Sequence, residues 1–327
     1  MNDYIGFPRG WFVVCFSDEL AVGQTRALKY FGRDLAAYRG EDGVARILDA
    51  HCPHLGAHLA IGGKVEGCEL RCPFHAWKFG VDGKCVEIPY SSAPIPAKAR
   101  VGTWLVKEQN GVLMIHHDPA NQAPQFDIPR ITELDSPDWL PWTTAQYRIK
   151  THPREIVENM ADKAHFPRVH TTEVDEFDFS VDAHTCTQTT KGRAFFNSEA
   201  GQKIDPFGSV TTYHGPGYLL MKMSGQLQNF MLIAHTPIDE NTLDLRMAVT
   251  IKVVGGDREK TQGWVGQYVK NLKDGFEDDI KIWENKVFRD TPLLIAEDGP
   301  IGSLRRWYKQ FYQSPAPPTA QAVEVQP

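Results

Sequence analysis

The first third of the chain consists of short apolar runs separated by turn residues. Between Trp11 and Ile115 these runs are WFVVCF, RALKYFG, GVARILDA, VGTWLVKE and GVLMIHH, with Gly, Asp and Asn between them. Runs of this length, rich in β-branched and aromatic residues and bounded by turn residues, are typical of β-strands. The pattern therefore predicts an all-β N-terminal unit.

The second half mixes strand-like and helical patterns. A helical stretch around Arg154–His165 precedes three strand-like runs, YLLMKMS, NFMLIAHT and DLRMAVTIKVV. A long helix is predicted from Trp264 to Val287, because apolar residues recur there at steps of three and four, as on one buried helical face. These residues are Val265, Tyr268, Val269, Leu272, Phe276, Ile280, Trp283 and Val287. The expected fold class is α+β.

The segment HHDPANQAPQFDIP is dense in Pro, Asn and Asp and breaks both periodicities, which indicates a linker. A length of 327 residues suits two domains. We therefore place the boundary near Asp118 and predict domains at residues 1–118 and 119–313. Residues 314–327 are rich in Pro and Ala, and we expect a disordered tail there.

Composition and charge narrow the function classes. Hydrophobic residues make up 42% of the chain and charged residues 23%, as in ordinary globular proteins. A net charge of −6 with scattered Lys and Arg argues against a nucleic-acid partner. No secretory signal or membrane-spanning run is visible, so we expect a cytoplasmic protein whose six cysteines are thiols or metal ligands.

The first chemical signal is Cys52-Pro-His54, followed after 17 residues by Cys72-Pro-Phe-His75. Each half offers one thiolate and one imidazole from a tight turn, so two loops can hold a pair of irons. Two imidazoles in place of two thiolates raise the reduction potential of a [2Fe–2S] cluster. The prolines and nearby glycines suit tight ligand-bearing loops.

A structural zinc site is the alternative, because two Cys and two His also suit tetrahedral zinc. Zinc fingers usually pair Cys with Cys and His with His, whereas each half here mixes the two. His58 and Cys68 lie outside the two units and are interpreted as structural residues. The remaining cysteines have no partner at ligand spacing and are interpreted as ordinary thiols.

The second signal is the segment ENMADKAHFPRVH, residues 158–170. On a helix, Asp162 and His165 would share a face, and Pro167 should end or kink that helix so that His170 folds back towards His165. Two histidines and a carboxylate form the facial triad that binds non-haem Fe(II) and leaves coordination positions open. Asn159 and Asp162 are candidate catalytic residues in the same segment.

The carboxylate of that triad can be chosen by helical phase. Asp279 falls inside the apolar stripe of the long helix, whereas Asp278 points into solvent. An ionised carboxylate facing a core is costly unless it is paired or binds a metal. Asp279 is therefore the candidate iron ligand, and a buried salt bridge with Lys or Arg is the alternative.

The run CPHLGAHL…CPFHAWKFGVDGKCVEIPY resembles the Rieske domain of ring-hydroxylating oxygenases. The later run GFEDDIKIWENKVFRDTPLLIAEDGPIGSLRRWYKQFY resembles the C-terminal region of 3-ketosteroid 9α-hydroxylase oxygenases, in which the Asp at the position of Asp279 binds iron. The resemblance implies that Cys52 and Cys72 hold one cluster iron and His54 and His75 the other. It also implies a helix-grip (START-like) catalytic domain with an antiparallel sheet.

The same resemblance implies a homotrimer in which one chain's cluster serves the next chain's iron. Asp162 would then bridge His165 to a cluster histidine, His54 or His75, of the neighbouring chain. Without the resemblance, a solvated carboxylate paired with Lys163 or Arg154 is an equal alternative.

The expected function is the terminal oxygenase component of a Rieske monooxygenase that hydroxylates a hydrophobic, steroid-like substrate. It would use O2 and electrons from a ferredoxin or a flavin-containing NAD(P)H reductase. Oxidative demethylation or desaturation of a sterol or aromatic compound is the alternative within the class. A Rieske electron-transfer protein with an appended domain is the alternative from another class. We expect Met221, Met223, Phe230 and Leu232 either to line an apolar pocket or to belong to the core.

Overall fold

The computed structural model describes residues 4–170, 172–198, 201–225 and 227–312. The disordered tail predicted at residues 314–327 lies outside these ranges.

The N-terminal part is built of short antiparallel strands, as its turn-rich pattern predicts. The strands are β1 (Gly10–Phe16), β2 (Thr25–Tyr30), β3 (Arg33–Arg39), β4 (Ala45–Asp49), β5 (Lys64–Glu66), β6 (Glu69–Arg71), β7 (Lys78–Phe79), β8 (Cys85–Glu87), β9 (Val106–Gln109) and β10 (Val112–His117). They form three sheets, ordered β1-β10-β9, β2-β3-β4 and β5-β6-β7-β8. The first Cys and His motif lies on the loop between β4 and β5, and the second lies on the loop between β6 and β7.

The C-terminal part contains one antiparallel sheet of seven strands. These are β11 (Thr143–Ile149), β12 (Thr172–Asp182), β13 (Thr185–Ser198), β14 (Gly201–His214), β15 (Tyr218–Ser224), β16 (Asn229–Pro237) and β17 (Leu243–Ile251). Their order in the sheet is β11-β17-β16-β15-β14-β13-β12. The three strand-like runs of the sequence are β15, β16 and β17.

Strands β16 and β17 are buried along their whole length. On one face of β16, Met231 and Ile233 join the core under the long helix. On the other face, Leu232 packs in a cluster that contains Trp11 and Val13 of β1. Because both faces are covered, these strands read as continuous apolar runs instead of alternating ones. The two parts of the chain therefore share a core, and the boundary near Asp118 stays a prediction.

The helical stretch predicted at Arg154–His165 is shorter than expected. Helix α1 is Pro153–Glu158, and the short helix α2 is Phe166–Val169. The prediction was wrong about Pro167, which lies in the first turn of α2, where a missing N–H costs nothing. Between the helices the Asp162 carboxylate accepts a hydrogen bond from the backbone N–H of His165, a local bond that competes with helix formation.

The long helix α3 is Arg258–Asn285, and it begins where the Asp257 side chain caps the N–H of Lys260. The predicted apolar face lies towards the sheet, and Val265, Val269 and Trp283 are buried. Val287 lies beyond the end of the helix and is 73% exposed, so its predicted place on that face was wrong. Helix α4, Ile301–Lys309, follows.

Candidate active site

The two Cys and His motifs lie on two tight turns of similar construction. The backbone N–H of Cys52 donates to the carbonyl of Ala57 at 2.9 Å, and that of Cys72 donates to the carbonyl of Trp77 at 2.8 Å. A Cβ at Gly63 would lie 1.8 Å from the carbonyl oxygen of Leu59, so only glycine fits there. In these turns the thiols of Cys52 and Cys72 are buried and lie next to each other.

The four predicted cluster ligands fit a two-iron cluster better than one zinc ion. The His54 and His75 rings lie 4.6 Å apart between centroids, and Nδ1 of His54 is buried without a hydrogen-bond partner in the described residues. Burial raises the pKa of the Cys52 thiol to about 11, with Cys72 beside it contributing, so a metal would be needed to hold the thiolate. Among the described residues, no three of the four side chains bring ligand atoms within 4.8 Å of one another, as a single ion requires.

The surface beside the two histidines is apolar and aromatic. The His54 ring stacks on Trp77 at 4.7 Å, and the Trp77 indole N–H donates to the Tyr90 hydroxyl at 2.7 Å. Leu55 and Phe74 are more than half exposed. An exposed apolar patch of this kind suits contact with another protein surface.

The second predicted set converges on one point. His165, His170 and Asp279 bring their ligand atoms within 4.8 Å of one another. His170 Nε2 lies 3.3 Å from an Asp279 oxygen, and Asp279 is 6% exposed. In the described part of the chain no Lys or Arg forms an ion pair with Asp279, which argues against the salt-bridge alternative. The exposed Asp278 instead pairs with Lys281 at 2.9 Å.

Asn159 fixes the orientation of the Asp279 carboxylate. Its Nδ2 donates to Asp279 Oδ1 at 3.2 Å, and its Oδ1 accepts from the Trp283 indole N–H at 3.1 Å. An indole N–H can only donate, so the amide orientation of Asn159 is determined. The second Asp279 oxygen is left towards the two histidines.

His165 is held in one tautomer by the backbone. Its Nδ1 lies 2.6 Å from the Asp162 carbonyl oxygen, so Nδ1 carries the proton and Nε2 is free to bind a metal. Burial, with His170 nearby, lowers the pKa of His165 and favours this neutral form. The Asp162 carboxylate lies 3.9 Å from Nδ1 and is about one-third exposed. It forms no ion pair with Lys163 or Arg154 among the described residues.

The C-terminal segment packs against the turn between Asn159 and His165. The sequence patterns did not indicate this contact. Arg305 of α4 donates to Glu158 at 2.7 Å, and the backbone N–H of Lys163 donates to the Asp298 carbonyl at 2.8 Å. Gly299 has φ +99°, and a Cβ there would lie 2.2 Å from the Ala161 carbonyl oxygen. The residues between Asn159 and His165 are therefore tightly supported.

The triad opens into a cavity of about 920 Å³ between α3 and the seven-stranded sheet. This volume lies within the usual range for a site that binds a drug-sized ligand. Most of its lining is apolar, including Met221, Met223 and Met231. Phe230 and Leu232 do not line it, since successive strand residues point to opposite faces and these two pack in the core beyond.

Comparison with known families decides what these two sites belong to. Residues 10–107 match the Rieske [2Fe-2S] domain, and residues 115–312 match the 3-ketosteroid 9alpha-hydroxylase C-terminal domain. The chain belongs to the 3-ketosteroid 9α-hydroxylase family of Rieske oxygenases. It is therefore an oxygenase component of this family, whose cofactors are a Rieske [2Fe–2S] cluster and a mononuclear non-haem iron.

Relatives that are named for a reaction match nearly the whole chain. A probable 3-ketosteroid-9-alpha-monooxygenase oxygenase component of Rhodococcus rhodochrous is 35% identical, over 94% of this chain and 80% of that relative. The cholesterol 7-desaturase of Caenorhabditis elegans is 31% identical, over 95% of this chain and 78% of that relative. Relatives of this chain are thus named for two different reactions.

Solved structures support the fold. Dicamba monooxygenase bound to dicamba superimposes with a TM-score of 0.76 at 19% identity, covering 94% of this chain and 98% of that structure. As an oxygenase component, the protein works with O2 and an electron-donating partner. None of the helices described by the structure is long and apolar enough to cross a membrane.

Proposed function

We propose that this oxygenase hydroxylates a steroid-like substrate bound in the 920 Å³ cavity, with His165, His170 and Asp279 as the ligands of ferrous iron. The observation that carries the proposal is that these three side chains line the apolar cavity while their ligand atoms converge on one point. Relatives named for ketosteroid hydroxylation support a substrate of this class.

The residues around the two metal sites would have distinct roles in the reaction. When bound, the cluster supplies electrons one at a time, and the mononuclear iron supplies the position at which O2 is activated. Asn159 and Trp283 hold the Asp279 carboxylate, and the Asp162 carbonyl holds His165. The apolar wall excludes water and positions an apolar substrate carbon beside the triad.

The cluster would be held by Cys52 and Cys72 on one iron and by His54 and His75 on the other. We further propose a homotrimer in which the exposed patch around the cluster histidines faces the triad of a neighbouring chain. The partly exposed Asp162 carboxylate would then connect His165 to His54 or His75 of that chain. A ferredoxin or a flavin-containing NAD(P)H reductase would supply electrons, and the six unpaired cysteines are compatible with a cytoplasmic location.

The test is incubation of the purified protein with a reductase, NADH and a panel of 3-ketosteroids, sterols and aromatic ethers under ¹⁸O2. The expected product is a steroid in which a hydroxyl that carries one ¹⁸O atom has replaced one hydrogen. It is therefore about 18 mass units heavier than the substrate. The Asp279→Ala variant should give no product. Labelled product from an aromatic ether and none from any steroid would contradict the substrate assignment.

Desaturation is the second candidate, because a relative is named as a cholesterol desaturase. The same panel separates the two reactions, since a desaturated product is lighter than its substrate and carries no label. Demethylation would instead release a one-carbon product.

A further inference from the structure

The cavity contains buried polar side chains that its apolar role does not explain. Gln188 and Thr211 are each 3% exposed and Asn229 is 2% exposed, and all three line the cavity. Gln188 Nε2, Thr211 Oγ1 and Asn229 Oδ1 have no hydrogen-bond partner among the described residues. Buried polar atoms almost always have partners, so an unpaired set facing a ligand cavity indicates partners supplied by the ligand.

Asn229 presents an acceptor to the cavity. Its Nδ2 donates to the Leu227 carbonyl and to the Tyr268 hydroxyl, both at 3.2 Å. Rotating the amide by half a turn would place its carbonyl oxygen against the carbonyl of Leu227, so the observed orientation is the stable one. The Oδ1 atom can therefore be satisfied only by a donor, such as a ligand hydroxyl.

Gln188 and Thr211 present donors at a different part of the same wall. They are directly paired across strands β13 and β14. The amide Nε2 is a donor, and the threonine hydroxyl can also donate. Two neighbouring donors suit a carbonyl oxygen.

The two polar groups are separated by a distance suited to a long ligand. Gln188 and Thr211 lie in one cross-strand row with Met221 and Met231, and Asn229 lies two residues further along β16. Three strand spacings and one two-residue step put the Cα atoms of Gln188 and Asn229 about 16 Å apart. A separation of this size is too long for a ligand of one ring and suits an elongated fused-ring skeleton with a polar group at each end.

Asn229 also lies at the end of the cavity remote from the triad. It bonds to Tyr268, which precedes Asp279 by eleven residues on α3, about 16 Å along the helix axis. A group bound by Asn229 is therefore not the group that reacts.

We propose that the cavity selects a steroid with a hydroxyl at one end, bound by Asn229, and a carbonyl at the other, bound by Gln188 and Thr211. This inference rests on the proposed steroid substrate and adds the functional groups that its two ends must carry. A diketone would leave the Asn229 acceptor unpaired. A diol would accept hydrogen bonds from Gln188 and Thr211 less well than a ketone does.

The test compares four saturated steroids that differ only in whether each end carries a ketone or a hydroxyl: androstanedione, dihydrotestosterone, epiandrosterone and androstanediol. Dissociation constants are measured by tryptophan fluorescence on the anaerobic protein with its cluster oxidised, so that no turnover occurs. The expected result is that at least one keto-alcohol binds about tenfold more tightly than the diketone, because a buried polar group left unpaired is strongly disfavoured.

Two near-isosteric variants show which end of the steroid each polar side chain recognises. Asn229→Leu should abolish the preference for a hydroxyl over a ketone at one end only, and Gln188→Leu should weaken the preference for a ketone at the other. Met231→Leu, which changes an apolar lining residue, should keep both preferences. If a variant misfolds and loses its cluster absorption, the dissociation constants of the four steroids for the wild-type protein test the proposal on their own.

The outcomes separate this inference from the function on which it rests. Equal binding of all four steroids, or an unchanged preference in Asn229→Leu, would overturn the inference and leave the steroid substrate standing. If none of the four steroids binds to protein with both metal centres loaded, the steroid substrate and the inference both fail.

Discussion

At the residue scale, the triad is determined as much by its supporting bonds as by its ligands. The motif spacing predicted His165, His170 and Asp279 because few residue types can bind iron and because helical phase separates Asp279 from Asp278. The supporting contacts were not predictable. Asn159 reaches Asp279 from a turn between helices, and the His165 ring bonds to a backbone carbonyl, so neither contact follows a sequence periodicity.

Removing the Asn159 amide should weaken iron binding. In Asn159→Ala the Asp279 carboxylate loses its donor, and the loss of such a supporting bond commonly costs about 10–100-fold in metal affinity. Titration of the iron-depleted mononuclear site with Fe(II) measures the change. Asn285→Ala, which removes an exposed amide from the end of α3, the helix that carries Asp279, should bind iron like the wild type. Equal affinities in the two variants would contradict the supporting role.

Asp162→Asn should separate metal binding from electron transfer. The His165 tautomer depends on the backbone carbonyl of residue 162, which the substitution leaves in place, so cluster and iron should both be retained. Substrate-dependent reoxidation of the reduced cluster, followed by stopped-flow absorbance, should become too slow to support turnover. Reoxidation at the wild-type rate would show that the carboxylate is only a solvated group.

At the element scale, periodicity predicted long elements well and short ones poorly. Helix α3 was found because its apolar positions repeat over many residues, and strands β15 to β17 were found because each is a long, mainly apolar run. The helix predicted through His165 ended at Glu158, because Asp162 makes a local turn and Pro167 begins a new helix. The four residues expected either to line a pocket or to belong to the core divide between the two, since Met221 and Met223 line the cavity whereas Phe230 and Leu232 pack in the core.

The phase of α3 gives a direct test. Asp279→Ala should lose the mononuclear iron and keep the cluster, because its carboxylate is buried beside His170. Asp278→Ala removes an exposed carboxylate that pairs with Lys281, and it should keep both centres. Iron analysis with the cluster absorption spectrum measures both. Equal iron loss in the two variants would show that the helical phase has been assigned wrongly.

At the scale of the whole molecule, the two parts of the chain are joined by a shared core. Residues of β1 and β10 pack against the outer face of the seven-stranded sheet, with Trp11 and Leu232 in one cluster. No local pattern predicts such a contact, because Trp11 and Leu232 are more than two hundred positions apart in the sequence. The sequence resemblance supplied the identity of both parts, while their packing required the structure.

The proposed trimer predicts complementation between two inactive variants. Cys72→Ser would lack a working cluster, and Asp279→Ala would lack the mononuclear iron. Co-expressed and purified together, the two should regain part of the hydroxylation activity, because a cluster in one chain serves the iron of its neighbour. Each variant alone is the control. A mixed trimer without activity would show that the two centres cooperate within one chain.

An oxygenase component of this family requires two different iron centres in one chain. Iron, zinc and acid-labile sulfide should be measured on the purified protein together with the EPR spectrum of its reduced form. The predicted result is about three irons and two sulfides per chain with a Rieske signal, falling to about two irons with the signal intact in Asp279→Ala. Stoichiometric zinc without a Rieske signal, or about two irons in both proteins, would contradict it.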